Sequence, residues 1–111
     1  MKYFKNLEEM QPYYNKETNT YEFEDDIQIG FDLKIKSNIK ARDIDVFDTN
    51  FKIYTINAYN VSANNIFGGD INTFSIDASN NICAYDMNVY DIKANHINAD
   101  NIDACDINNI K

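Results

Sequence analysis

Across the C-terminal half of this chain an apolar residue returns every five positions, and that period constrains the fold more than any other feature. The pattern is cleanest at Ile92-Lys93-Ala94-Asn95-His96, Ile97-Asn98-Ala99-Asp100-Asn101, Ile102-Asp103-Ala104-Cys105-Asp106 and Ile107-Asn108-Asn109-Ile110-Lys111. The unit is Ile-x-Ala-x-Asp/Asn. Met87 and Ile82 keep the phase, and one extra residue at Asn80 or Asn81 shifts it. Ile76, Ile71, Ile66, Val61, Ile56 and Phe51 then follow at steps of five, and Ile44, Ile39, Leu33 and Ile27 continue at looser spacing, giving sixteen units from Ile27 to Lys111.

A helix repeats at 3.6 residues and a two-faced strand at 2, so neither explains a period of five. Within each unit the first and third residues are apolar and two apart, as on one side of a strand. The next pair begins three residues on, so the chain must turn between units. Short strands separated by corners make a coil whose turns stack through backbone hydrogen bonds, with the apolar pairs inward.

This run resembles the pentapeptide-repeat proteins. The resemblance covers Ile27 to Lys111 and implies an all-β fold, a right-handed quadrilateral β-helix with four sides to each coil. The family's usual unit places the small residue before the large one, whereas here the large residue (Ile82, Ile92, Ile102) precedes the small one (Ala84, Ala94, Ala104). Sixteen units on four sides give a β-solenoid of about four coils. The unit starts then sort into faces of Ile27, Phe51, Ile71 and Ile92; Leu33, Ile56, Ile76 and Ile97; Ile39, Val61, Ile82 and Ile102; and Ile44, Ile66, Met87 and Ile107. Gly68-Gly69 replaces an Ala-x corner and is expected to relieve crowding.

Residues 1–26 do not repeat. Asn6-Leu7-Glu8-Glu9 can cap a short helical turn, and Tyr13-Tyr14-Asn15 and Tyr21-Glu22-Phe23 flank a plausible hairpin loop. They are expected to form an N-terminal cap over the first coil, with 27–111 as the repeat domain. The last unit runs into Lys111 with no cap, which predicts self-association through Ile107 and Ile110 as a tail-to-tail homodimer.

The chain has a formal net charge of −8, from eighteen acids and ten bases. Direct binding of nucleic acid needs Lys and Arg, so that class is disfavoured. Acidity also keeps a small protein in solution, which is the plainer account of it. The acids at the start of the chain argue against a secretion signal, and no run is long enough to span a membrane. Cys83 and Cys105 lack metal-ligand spacing, and the expectation is a cytoplasmic protein of a bacterial host cell with free thiols. His96 is the only histidine, no nucleophile stands in a motif, and there is no glycine-rich phosphate loop, so neither an enzyme nor a cofactor or metal is expected.

From Ile53 to Ile110 there are seven acids and one base. Four-sided stacking would line them along two adjacent corners: Asp43, Asn65, Asp86 and Asp106 on one, and Asp48, Asp70, Asp91 and Lys111 on the other, with Asp45 and Asp103 nearby. Tyr54, Tyr59, Phe74, Tyr85 and Tyr90 fall at the outward fourth position, and Tyr85 and Tyr90 adjoin Asp86 and Asp91. Two readings compete. Corner Asp and Asn can simply bond neighbouring backbone groups, as the interchange of the two residues suggests, and outward aromatics can simply stack on one another. Alternatively, acidic ladders on a narrow rod imitate the phosphate rows of DNA, as the resemblance to gyrase-protecting pentapeptide-repeat proteins implies. The expected function is a non-catalytic DNA mimic that binds the basic DNA-binding surface of a nucleic-acid enzyme, leaning to a phage-type inhibitor of a CRISPR effector or other defence nuclease. The alternatives are a passive scaffolding solenoid and a gyrase-binding protection protein. The partner-binding candidates are Asp43, Asp45, Asp70, Asp86, Asp91, Asp103, Asp106, Tyr85 and Tyr90.

Overall fold

The computed structural model describes residues 2–109, so Ile110 and Lys111 lie outside the described residues. The chain runs through β1 (Lys2–Phe4), a 3-10 helical segment (Leu7–Tyr13), β2 (Tyr14–Asn15), β3 (Thr20–Glu22), β4 (Ile27–Ile29), β5 (Leu33–Lys34), β6 (Asn38–Lys40), β7 (Asp43–Asp45), β8 (Ile56–Phe67), β9 (Asp70–Ala94) and β10 (His96–Asn109). The fold is all-β. Among the described residues the strands form one ten-stranded sheet that curls around a single core. Pairing is mixed: β2 and β3 are antiparallel, and the other strand pairs are parallel.

The four-sided coil is not what forms. In a twenty-residue turn, Ile56 would lie beside Ile76. Instead Ile56 pairs with Ile71 and Val61 with Ile76, and further along Ile82 pairs with Ile97, Met87 with Ile102 and Ile92 with Ile107. The step between partners is fifteen residues, or three five-residue sides. The N-terminal half is less regular. Ile27 pairs with Ile44, Leu33 with Ile56 and Ile39 with Val61, steps of 17, 23 and 22 residues. Among the described residues no regular quadrilateral β-helix is present, and the four faces expected from it do not exist as stacks.

The packing rule within each side does hold. First-position residues Ile56, Val61, Ile66, Ile71, Ile76, Ile82, Met87 and Ile92 are all 0–2% exposed. The third-position Ala58, Ala63, Ala78, Ala84 and Ala94 are buried beside them. Each buried isoleucine contributes about 1.5–3 kcal/mol before conformational entropy is subtracted. The extra residue is absorbed by a register shift: Ala63 pairs with Ala78, but Asn65 pairs with Asn81. Such a bulge lets one strand carry an additional residue while the ladder resumes beyond it.

Phe51 is not a core position. It is 77% exposed, on a loop that leaves the ladder after Val46. Tyr54 rejoins it, donating its N–H to the Val46 carbonyl, while its own carbonyl accepts from the N–H of Gly69. That detour accounts for the long steps between β5–β7 and β8.

The N-terminal residues join the same sheet. β1 pairs with β4, and β3 with β6. The Asn6 side chain accepts from the Glu9 N–H at 3.1 Å, and Glu9 accepts from the Lys5 N–H at 2.7 Å. This reciprocal bonding satisfies helix-start donors and places Met10 in the core at 0% exposure. Phe4, Tyr13 and Phe23 close over it with ring centroids 4.8–5.7 Å apart. Among the described residues no helix is long and apolar enough to cross a membrane.

Candidate functional site

A three-sided turn brings together residues that a four-sided turn keeps apart. One side is formed by Ile56–Tyr59, Ile71–Phe74, Met87–Tyr90 and Ile102–Cys105. Its first and third residues point inward, so its second and fourth point out. The second-position column runs through Asn57 and Asn72, then Asn88 and Asp103. The fourth-position column is aromatic. Tyr59 stacks on Phe74 at 5.2 Å and Phe74 on Tyr90 at 5.3 Å, each pair tilted by only 8°. The three rings are 46–53% exposed. Cys105 occupies the next rung, because the neighbouring pairs are Val89 with Ala104 and Asp91 with Asp106.

Acids line both edges of this side. At the leading edge Thr55, Asp70, Asp86 and Asn101 follow one another. Tyr85 donates its N–H to the Gly69 carbonyl at 2.8 Å, which sets Asp86 beside Asp70, and Asn101 Nδ2 donates to Asp86 Oδ1 at 2.7 Å. At the trailing edge Asn60 pairs with Ser75, and Asp91 with Asp106. The Phe74–Tyr90 stack carries Ser75 next to Asp91. The expected grouping of Asp43 with Asp86 and Asp106, and of Asp48 with Asp70 and Asp91, is therefore replaced by Asp70 with Asp86 and Asp91 with Asp106. Tyr85 precedes Asp86 at the leading edge, 54% exposed. Parallel rungs are about 4.8 Å apart and five extended residues span roughly 16 Å, which sets the size of the face.

Asp43 and Asp45 lie elsewhere. Asp43 Oδ1 accepts from the backbone N–H and Nδ2 of Asn65 at 3.2 and 3.1 Å, and Asn65 Oδ1 accepts from the same two groups of Asn81, both at 3.2 Å. This corner is a bonded ladder in which the side chains serve the backbone. Asp45 is partly buried. Burial, then the charges of Asp43 and Asp26, push its carboxyl above the usual range. Nearby, Asp26 is held below its usual range by hydrogen bonding to Arg42, whose Nε lies 2.8 Å from its Oδ1.

Ile102 and Ile107 stand at first positions of the last turn, yet they are 41% and 51% exposed. Among the described residues β10 pairs only with β9. A shallow cleft of about 500 Å³ opens beyond the trailing edge, lined by Ser75, Asp77, Asp91, Lys93 and Ile107. No three of His, Cys, Asp and Glu converge among the described residues. The carboxylates of the face are spread along a ladder, an arrangement suited to meeting a row of cations.

Tyr59 and Phe74 are not among the candidates expected from the sequence, yet their spacing carries a signal: aromatic residues at 59, 74 and 90 are spaced by fifteen and sixteen, the length of a turn with its bulge. Comparison with protein-family models, with curated proteins and with solved structures found no match.

Proposed function

We propose that this protein is a non-catalytic acidic decoy that occupies the nucleic-acid groove of an enzyme, in the manner of a DNA mimic. A CRISPR effector or another defence nuclease is the favoured target class. The observation that carries the reading is the pair of acidic edges on one face, Asp70 and Asp86 on one side and Asp91, whose backbone rung continues to residue 106, on the other. Their separation, about 16 Å by strand geometry, is of the same order as the ~12 Å width of a B-DNA major groove. A groove of Lys and Arg built for phosphate rows would meet anions on both walls, and association would be steered by the field. The five-residue repeat of the DNA-mimicking pentapeptide-repeat proteins supports the reading, although the turn here has three sides.

Inhibition of a purified nuclease should weaken steadily as salt rises, because the contacts are ionic. The double variant Asp86→Lys with Asp91→Lys should abolish it while leaving the β circular dichroism intact. Asp43→Asn, at the bonded corner, should leave it unchanged. Inhibition that ignores both salt and the lysine pair would refute the proposal.

A second reading is favoured by the exposure of Ile102 and Ile107. Under it, two copies associate through the edge of β10, since an unpaired strand edge with apolar side chains recruits further strands. Ile107→Glu should then convert a dimer to a monomer in sedimentation. A monomer at all concentrations before the substitution removes this reading. Ile110, also expected to take part, lies outside the described residues.

A further inference from the structure

We infer that the aromatic face is an arginine-selective docking surface, with a guanidinium from the partner filling the rung over Cys105 beyond Tyr90. The inference rests on the acidic-decoy reading and names the chemistry of its contact. Tyr59, Phe74 and Tyr90 are stacked almost parallel, so each inner ring face is covered by its neighbour. Tyr90 is the end of the stack. Its far face looks onto the rung of Cys105, a small and exposed residue. A flat group placed there would continue the column at the spacing the rings already keep. Charge selects which flat group. Asp91 adjoins Tyr90 in sequence at the trailing edge, and Asp103 stands on the same side of the coil. A guanidinium is planar, cationic and able to lie flat on a ring while its N–H groups reach a carboxylate, whereas an ammonium meets the ring face only as a point charge. The acidic columns attract any basic partner, and the open end of the aromatic stack favours arginine over lysine within it.

The test uses the full chain and two labelled probes, a nona-arginine and a nona-lysine peptide of equal length and charge, titrated by fluorescence anisotropy. The arginine peptide is expected to bind at least about threefold more tightly. Tyr90→Leu should erase the difference, weakening arginine binding more than lysine binding. Cys105→Phe, which adds a ring at the vacant rung instead of removing one, should erase it too, so the inference remains testable if Tyr90→Leu fails to fold. Asp91→Asn should weaken both peptides. Equal affinity for the two peptides, no measurable binding of either, or an arginine preference that survives both Tyr90→Leu and Cys105→Phe overturns the inference. The two ideas can fail separately. Nuclease inhibition that is salt-sensitive but indifferent to Cys105→Phe removes the arginine site alone. Arginine preference without any effect of the Asp86→Lys and Asp91→Lys pair on inhibition removes the decoy reading alone.

Discussion

At the scale of single residues, two positions depart from the repeat in ways that carry measurable costs. Thr73 stands where the inward column otherwise holds Ala or Val, 8% exposed, and among the described residues its Oγ1 has no hydrogen-bond partner. A buried hydroxyl left unbonded costs about 1–3 kcal/mol, so Thr73→Val should raise the thermal midpoint. Gly69 is needed for space. A Cβ there would lie 3.0 Å from the Tyr54 carbonyl oxygen and 3.1 Å from Ile53 Cγ2. Gly69→Ala should destabilise by about 1 kcal/mol, near the low end for overpacking, because the returning loop must give way. A denaturant titration measures it. The expected relief from crowding at Gly68-Gly69 holds at Gly69 alone, since a Cβ at Gly68 would meet its nearest neighbours at an ordinary 3.6 Å. The source of the crowding was not legible in the sequence, because the crowding atoms come from a loop fifteen residues earlier.

At the scale of elements, the loop from Phe47 to Tyr54 folds around one carboxylate, alongside the backbone bond from Asp48 N–H to the Lys52 carbonyl at 2.9 Å. Asp48 accepts from the Lys52 and Asn50 N–H groups at 3.0 and 2.8 Å and from Tyr54 Oη at 3.0 Å. The backbone bond from Lys52, followed by that from Asn50, keeps its carboxyl below the usual range. Phe51 is carried at a φ of 63°, an unfavourable backbone for a bulky residue. Because the folded carboxyl titrates below its unfolded counterpart, its contribution is fully present above the ordinary carboxylate range. That contribution disappears as pH falls through the lowered value. Amide protection at Asn50 and Lys52, taken relative to the intrinsic exchange rate at each pH, should therefore fall on acidification. In Asp48→Asn that protection should already be low at neutral pH and should lose the acid-dependent step. The aromatic column is the other element with its own energetics. Phe74→Ser breaks both stacks at once and should cost about 1 kcal/mol or more, read by thermal melting with loss of near-ultraviolet dichroism.

At the scale of the whole molecule, the length of one turn decides everything about the surface. With three sides to a turn, Asn57 and Asn72 are outward neighbours on adjacent rungs. A four-sided turn would instead set Asn57 beside Asp77. With Cys83 and Cys105 replaced by serine, the pair Asn57→Cys and Asn72→Cys should oxidise readily to a disulfide, since adjacent rungs lie within disulfide reach. Asn57→Cys with Asp77→Cys should not. The reverse outcome would restore the four-sided register and dissolve the acidic face described above.

The amino-acid sequence determined the side of the coil: five residues, first and third inward, a corner at the fifth, and an extra residue near Asn80. Those are local facts, set by which side chains avoid water and which support a bend. It did not determine how many sides close a turn. Fifteen and twenty are both multiples of five, so Ile56 can meet Ile71 or Ile76 with the same apolar contact, and a five-residue period is silent between them. Only the tertiary structure, through the bend taken at each corner and the volume left inside, chose three. That choice moved Asp86 from Asp43 to Asp70, and Asp106 from Asp43 to Asp91. It also aligned Tyr59, Phe74 and Tyr90 into one column.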